Sequence, residues 1–483
     1  MGEEIDKQTF TSGDFSQFQK QLVEETALLQ QWFDEQKFSE HKPVGGFELE
    51  VWLVDKQIQA QAINEQFLER LNNPLVVPEL AQFNVELNGT PEALEGDILS
   101  RMMSELQNTC HRCAETASEL DSQLMMIGVL PTLADTDLCL ENMSKMRRYA
   151  ALNEQVMRLR QGRPIQLDIN GREHCRNTHY NVMLEAAATS FQIHIQVPQT
   201  EALRYYNASL AISAPMLALS TNSPFLFGQS VWEETRIPLF EQSVELGGLG
   251  DASRGPLKRV SFGSGYARES LMECFTENLQ HFPVLLPIIK KSHHDTDLTA
   301  SSNLMAHVQM HNGTVWRWNR PLIGFNQKGE PHIRIEHRVV PAGPTVVDTV
   351  ANAAMFFGLV EAVAKRDIPI EKEMEFATVK DDFYRAAKLG LQSHIHWLGK
   401  SMTAQRLILD ELLPVAKKGL QQLKINDADI EYYLGIIEQR VSTGRTGSAW
   451  QRQRAEQLNG DLQAMSCDYL KWQQSGKPVH EWL

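Results

Sequence analysis

Residues 47–54, FELEVWLV, constrain the fold most, because Phe47, Leu49, Val51 and Leu53 alternate with Glu48 and Glu50. An extended strand sends successive side chains to opposite faces, so this pattern describes a strand with one dry face and one acidic face. Residues 83–87, FNVEL, read as a second short strand, carrying Glu86. Residues 190–197, SFQIHIQV, alternate again: Gln192, His194 and Gln196 share one face, and Phe191, Ile193, Ile195 and Val197 the other. In a strand over 332–340, the run Arg334-Ile-Glu-His-Arg338 puts Arg334, Glu336 and Arg338 on a common face.

The rest of the chain supplies helices. Phe18, Leu22, Leu28, Leu29 and Trp32 recur at near-helical spacing within residues 14–37, and Pro43-Val-Gly-Gly then breaks the chain. A long helix is expected from about Pro91 to Gln123, with Pro91 suited to its first turn. Residues 126–131 read as a strand and turn, 201–219 as a helix, Asn222-Ser-Pro as a turn, 305–318 as a strand, and Val346–Lys365 as a helix. From about residue 378 the pattern is helical, broken near Gly444 and Gly447. These elements predict an α+β fold, a mostly antiparallel sheet with helices outside it and a helical C-terminal portion. The expected division is an N-terminal helical segment over 1–43, a catalytic sheet domain over 44–375, and a helical region over 376–483 packed on it.

With 42% hydrophobic and 22% charged residues, the chain has the composition of a globular protein and not of a disordered one. Its net charge of −15 and the lack of a long basic run argue against nucleic acid or an anionic membrane as partner. The start, MGEEIDKQTF, lacks the basic and apolar regions of a secretory signal, and VLLPIIKK near residue 284 is far short of the ~20 residues a membrane helix needs. Six sparse cysteines without framework spacing fit a reduced compartment, so a cytoplasmic protein is expected. Cys110 and Cys113 form a CxxC without a second ligand pair and read as ordinary helix residues. His293-His294 beside Asp295 and Asp297 reads as a polar loop, and His174, Cys175 and His179 as part of an Arg/Asn-rich loop near a site mouth.

Carboxylates on one sheet face repel one another. At ~5 Å and an effective dielectric of ~20, each like-charged pair costs about 3 kcal/mol. Hard divalent cations remove that cost, a histidine can complete their shell, and arginines suit phosphate. Metals and arginines on one face are the apparatus of phosphoryl transfer. A sheet with one solvated face also places charge at alternate positions, which suffices for any one of these strands alone. Four such strands together point to a site.

The segments GGFELEVWLVD, PELAQFNVELNGTPEAL, TSFQIHIQVP, LALSTNSPFLFG, WRWNRPLIG, IRIEHRVVPAGPTVVDTVANAAMFFGLVEA and TGRTGSAWQRQR resemble, in order, those of the glutamate–cysteine ligase type 2 family. The resemblance runs from about residue 44 to 455. It implies a glutamine-synthetase-like fold and an ATP-dependent carboxylate–amine ligase, which phosphorylates a carboxylate and lets an amine displace the phosphate. It also implies that Glu48, Glu50, Glu86, His194 and Glu336 hold Mg²⁺, as two ions that Mn²⁺ can replace. Arg338, Arg320 and Arg334 become the candidate catalytic cations, with Arg320 reserved for a substrate carboxylate or the transferred phosphate. Arg338, Gln192 and Gln196 become the candidate ATP contacts. Amino acids and ATP are the expected small-molecule partners, and a homo-oligomer is left open.

The sequence also departs from its relatives. Leu130 and Gln192 stand where many have histidine, Gln196 where many have glycine, and Pro341-Ala342 where an aspartate often follows. The metal set is thus intact and the substrate shell altered, so glutamate plus cysteine is not expected to be the best pair. Two alternatives share the sheet architecture: a guanidino-kinase-like phosphotransferase, and a non-catalytic amino-acid or nucleotide sensor.

Overall fold

The structure, a computed structural model, describes residues 8–246, 258–288 and 304–483. Its centre is an eight-stranded sheet built from β1 (Val44–Val54), β2 (Val76–Pro78), β3 (Asn84–Asn88), β4 (Glu92–Ala93), β5 (Gln123–Met125), β6 (Phe191–Val197), β7 (Asn319–Phe325) and β8 (Pro331–His337). The order is β7-β8-β6-β1-β3-β2, and every pairing is antiparallel. The two ends of β1 also pair with β4 and β5. The fold class is α+β, as the alternating strands require.

Register follows from burial, since a slip of one residue would carry every apolar side chain to the wet face. Leu49, Val51, Val85, Leu87, Ile193, Ile195, Ile333 and Ile335 all join one large core on the dry face. Among the described helices are α1 (Ser12–Asp34), α2 (Ile98–Glu119), α3 (Gln199–Ala211), α4 (Ala306–Gly313), α5 (Val346–Ala364) and α6 (Leu413–Gln422). Helix α5 runs through that core, with every residue but Val346 and Ala362 buried. It is long and apolar enough to cross a membrane by composition, yet here it is a core helix. A Cβ on Gly419 of α6 would lie 1.8 Å from the Gly358 carbonyl of α5, so this helix pair needs glycine at its crossing. Trp52 and Val54 point the same way as Glu48 and Glu50 but enter a second core, where Trp52 stacks on Phe83.

Several expectations fail for local reasons. The segment 305–318 is mainly a helix: α4 precedes a short strand at Trp316–Arg317. Helix α2 starts at Ile98 and ends at Glu119, and Pro91 lies before β4 instead. The strand expected at 126–131 is β5, just upstream. The helix expected over 201–219 breaks at Ile212, because Pro215 has no N–H to donate to Ala211.

The C-terminal portion is not wholly helical. His394–Trp397 and Lys400–Thr403 form a hairpin, turned by Leu398 and Gly399, both with positive φ. His174, Cys175 and His179 lie on a strand of another hairpin, Ile165–Asn170 with His174–His179, not in a loop. Cys110 and Cys113 are free thiols on α2, and burial raises both, Cys113 to about 12. The His293–Asp297 cluster falls outside the described residues.

Candidate active site

The wet face of the sheet gathers the acidic strands by register. Glu50 pairs with Glu86 across β1 and β3, Glu48 with Gln192 across β1 and β6, and His194 with Glu336 across β6 and β8. Two clusters result. In one, ligand atoms of Glu48, His194 and Glu336 lie within 4.8 Å of one another. In the other, carboxylates of Glu50, Glu79 and Glu86 do so. Glu79, in the segment between β2 and β3, was not anticipated, although it sits in the PELAQFNVEL run whose resemblance to relatives pointed here.

Both clusters fit a divalent cation. Glu48 Oε2 and both nitrogens of His194 are buried without a hydrogen-bond partner. His194 Nε2 is 3.5 Å from Glu48 Oε1 and 3.8 Å from Glu336 Oε1, too far for good hydrogen bonds and close enough to share an ion at ~2.1 Å from each oxygen. Burial keeps the His194 pKa below its ordinary value despite Glu48, which favours the neutral imidazole a metal binds. In the second cluster, burial and then the charge of Glu79 push Glu50 up to about 7, against the pull of Arg338. Burial, then Glu48 and Glu79, holds Glu86 well above the usual carboxylate range. Crowded carboxyls of this kind suit a hard divalent ion.

Glu336 stands apart from the other acids. Arg320 donates to it twice, Nε to Oε2 at 2.9 Å and Nη2 to Oε1 at 2.8 Å, and Arg338 Nη1 adds a third contact at 3.2 Å. Burial pushes its pKa up, but Arg320, Arg338 and His194 outweigh that and hold the carboxyl below its ordinary range. The Nη1 of Arg320 also lies 3.5 and 3.4 Å from the carbonyls of Asn312 and Gly313, and Arg320 is fully buried. Arg320, expected to meet a substrate carboxylate or phosphate, lines the cavity with its guanidinium paired to Glu336 and set against the end of α4. Arg338 donates from Nη1 to Gln192 Oε1 at 2.5 Å, and Gln192 Nε2 donates to Glu50 Oε1 at 2.9 Å. Arg334 Nε and Arg338 Nε are buried without partners.

These groups form one wall of a cavity of about 470 Å³. Glu48, Glu50, Glu79, Glu86, Gln192, Arg320, Arg334, Glu336 and Arg338 all line it. The lining also has an apolar part, with Phe275, Leu286, Met310, Trp316 and Ile323. Glu185 lines the cavity too, from the segment Val182–Ala187, and burial with the charges of Glu79 and Glu50 pushes it up to about 8. No period-two or helical pattern marks Glu185 in the sequence. Gln196 does not line the cavity, because it sits toward the far end of β6 opposite Val44 and Arg334. Leu130 lies in the second core, away from it.

A wider groove of about 1010 Å³ opens beside Arg452, Glu233 and Lys388. Arg452 is spent there on Glu233, Ser230 and the carbonyls of Val231 and Trp232. Neither cluster of metal-ligating groups touches this groove. Carboxylates of both clusters line the smaller cavity instead.

The sequence model of glutamate-cysteine ligase family 2 matches residues 44–468. Among solved structures, the chain is similar to the glutamate–cysteine ligase of Francisella tularensis in complex with AMP, at 12% identity and a TM-score of 0.58, over 91% of this chain and 90% of that one. It is also similar to a bifunctional glutathione synthetase from Pasteurella multocida, at 12% identity and a TM-score of 0.50, over 94% of this chain. It spans 54%, about half, of that second protein. At such identities these likenesses speak to the fold. No curated protein sequence matches it. The family match over residues 44–468, on a sheet whose register brings these carboxylates together, shows that the chain belongs to glutamate-cysteine ligase family 2.

Proposed function

We propose that the protein is an ATP- and Mg²⁺-dependent carboxylate–amine ligase working through an acyl phosphate. The observation that carries this reading is the pair of three-ligand clusters flanking an arginine-lined wall of one cavity, in a chain of this family. Glu48, His194 and Glu336 would hold one ion and Glu50, Glu79 and Glu86 the other. Bound there, Mg²⁺ supplies positive charge against the triphosphate.

The chain's own groups divide the remaining work. Arg334 and Arg338 have spare donors for phosphate oxygens, and their fixed charge stabilises negative charge as it moves from ATP to the acyl group. Arg320 orients Glu336. Gln192 ties Arg338 to Glu50 and so couples the phosphate side of the site to the second cluster. The apolar part of the cavity suits a purine ring and excludes water, which would hydrolyse an acyl phosphate. In the second step the amine nitrogen bonds to the acyl carbon and the C–O bond to phosphate breaks. Glu185, outside both clusters, would take the proton that nitrogen loses in its ionised form, which becomes the major one only as pH passes about 8.

Screening amino-acid pairs for ADP release, with the product identified, tests the reading. An amide formed in proportion to ADP supports it. A phosphorylated amine without amide indicates a kinase instead.

A further inference from the structure

Helix α4 lines the cavity with the apolar side chains of Ala306, Val308 and Met310 and with the amides of Gln309 and Asn312. Its N-terminus needs acceptors for its first N–H groups, and Met305 at the N-cap position has no side-chain hydrogen bond to give. The acceptor comes from a distant part of the chain. Glu25 of α1 takes the N–H of His307 at 2.8 Å and of Val308 at 2.9 Å on Oε2, and its Oε1 lies 2.6 Å from His307 Nδ1. Glu25 is only 9% exposed, and Phe18 of the same helix packs edge-on against the His307 ring, centroids 4.9 Å apart.

The other end of α4 meets the catalytic wall. Asn312 Nδ2 donates to the Pro321 carbonyl at 2.9 Å and Gln309 Nε2 to that of Ile323 at 3.0 Å, which stitches α4 to β7. The carbonyls of Asn312 and Gly313 face Arg320, which grips Glu336. A carboxylate at the N-terminus and a guanidinium at the C-terminus both complement the helix dipole. Helix α1 lies outside residues 44–468, the part matched by the family.

We infer that Glu25 is a positioning residue for the active site: by capping α4 from the N-terminal helix, it fixes the cavity's apolar wall and the backbone that seats Arg320. A glutamine can serve the same cap, with its oxygen toward the two N–H groups and its amide toward His307. An alanine takes the acceptor away from the part-buried N–H of His307 and the buried one of Val308. The inference rests on the ligase reading for its kinetic arm only.

The test compares E25A, E25Q and L29A in the full chain. L29A removes a buried leucine of α1 without touching the cap. Amide hydrogen exchange in α4 should speed up by about tenfold in E25A and stay near parent in E25Q and L29A. The KM for Mg·ATP should rise about fivefold or more in E25A with kcat within about threefold, while E25Q stays within about twofold of parent. L29A should lower the melting temperature without that KM change. If E25A does not fold, E25D, one methylene too short, takes its place with the same direction expected. Unchanged exchange in α4, or an L29A that reproduces the KM rise, would overturn the inference. A parent protein that binds no Mg·ATP would instead sink the ligase reading, and the exchange arm alone would then decide the role of Glu25.

Discussion

Arg320 on β7 and Glu336 on β8 face each other in register and share two hydrogen bonds of 2.9 and 2.8 Å, with both side chains almost wholly buried. This pair makes Glu336 a different kind of acid from Glu50 and Glu86. Its charge is balanced by protein, whereas theirs is not.

Glu336→Gln therefore has two effects. Loss of a charged ligand from the first cluster should lower kcat by about two to three orders of magnitude, as for other lost electrostatic stabilisers. Stability without metal should fall by about 3 kcal/mol, because two buried guanidinium groups lose their counter-charge. Steady-state kinetics and urea unfolding measure the two separately. A rise in metal-free stability would mean that Glu336 is a repelled carboxylate like its neighbours.

Glu79→Gln should act oppositely on stability. It removes one of three crowded carboxylates, so the metal-free protein should be as stable as the parent or more so. The thermal upshift by Mg·ATP should shrink. For the parent that stabilisation reaches about 2.7 kcal/mol at a hundredfold excess over Kd. Differential scanning fluorimetry over a Mg·ATP series reads both quantities, and an undiminished upshift in the variant would remove Glu79 from the site.

The pH dependence has a definite sign. Glu50 is raised from 4.5 to about 7, Glu185 to about 8, and Glu86 in the same direction. These carboxyls thus hold more protons in the native chain than in the unfolded one, whereas buried histidines such as His311 and His332, lowered from 6.5 to about 4, act oppositely below pH 6.5; between about pH 6.5 and 8 the carboxyls decide, and metal-free stability falls as pH rises. Glu336, held low, contributes stability above its unfolded pKa and loses it only at more acidic pH. Mg²⁺ must displace these protons, so its stabilising effect should be larger at pH 8 than at pH 6. Melting curves at the two pH values, with and without Mg²⁺, check it.

Substrate choice should depend on Gln192. Of Leu130, Gln192, Gln196, Pro341 and Ala342, where the sequence departs from its relatives, it alone lines the cavity. Gln192→His should change the ranking of amine acceptors, and Gln196→Gly should leave it unchanged. The wild-type kcat/KM for cysteine should fall below that of another amine, since a site that pairs a particular polar group discriminates by up to about four orders of magnitude. Competition kinetics over a panel of amines decides this.

The sheet was legible because period-two alternation fixes which face each residue takes. Glu48, Glu50, Glu86, His194 and Glu336 could be placed on one face without coordinates, and register brings them together. What escaped lacks periodicity or depends on distant contacts. Glu79 and Glu185 come from irregular or short segments, so no alternation marks them. Helix α4 was read as a strand because its eight residues are too few to show a helical period, and its cap is supplied by Glu25, 282 residues away. The commitment of Arg320 to Glu336 is a cross-strand pairing, invisible until β7 and β8 are in register. Leu130 and Gln196 looked like substrate residues from position alone, and burial in one case and place along β6 in the other remove them.

One cavity is proposed to use ATP to join a carboxylate to an amine. Turnover of ATP by the purified protein with Mg²⁺, measured across carboxylate and amine pairs with the products identified by mass, tests it most directly. ADP, phosphate and an amide are expected in equal amounts, only when both substrates and Mg²⁺ are present, with Glu48→Gln reducing all three together. ADP formed alongside a phosphorylated amine and no amide, or amide formation that continues undiminished in Glu48→Gln, would contradict it.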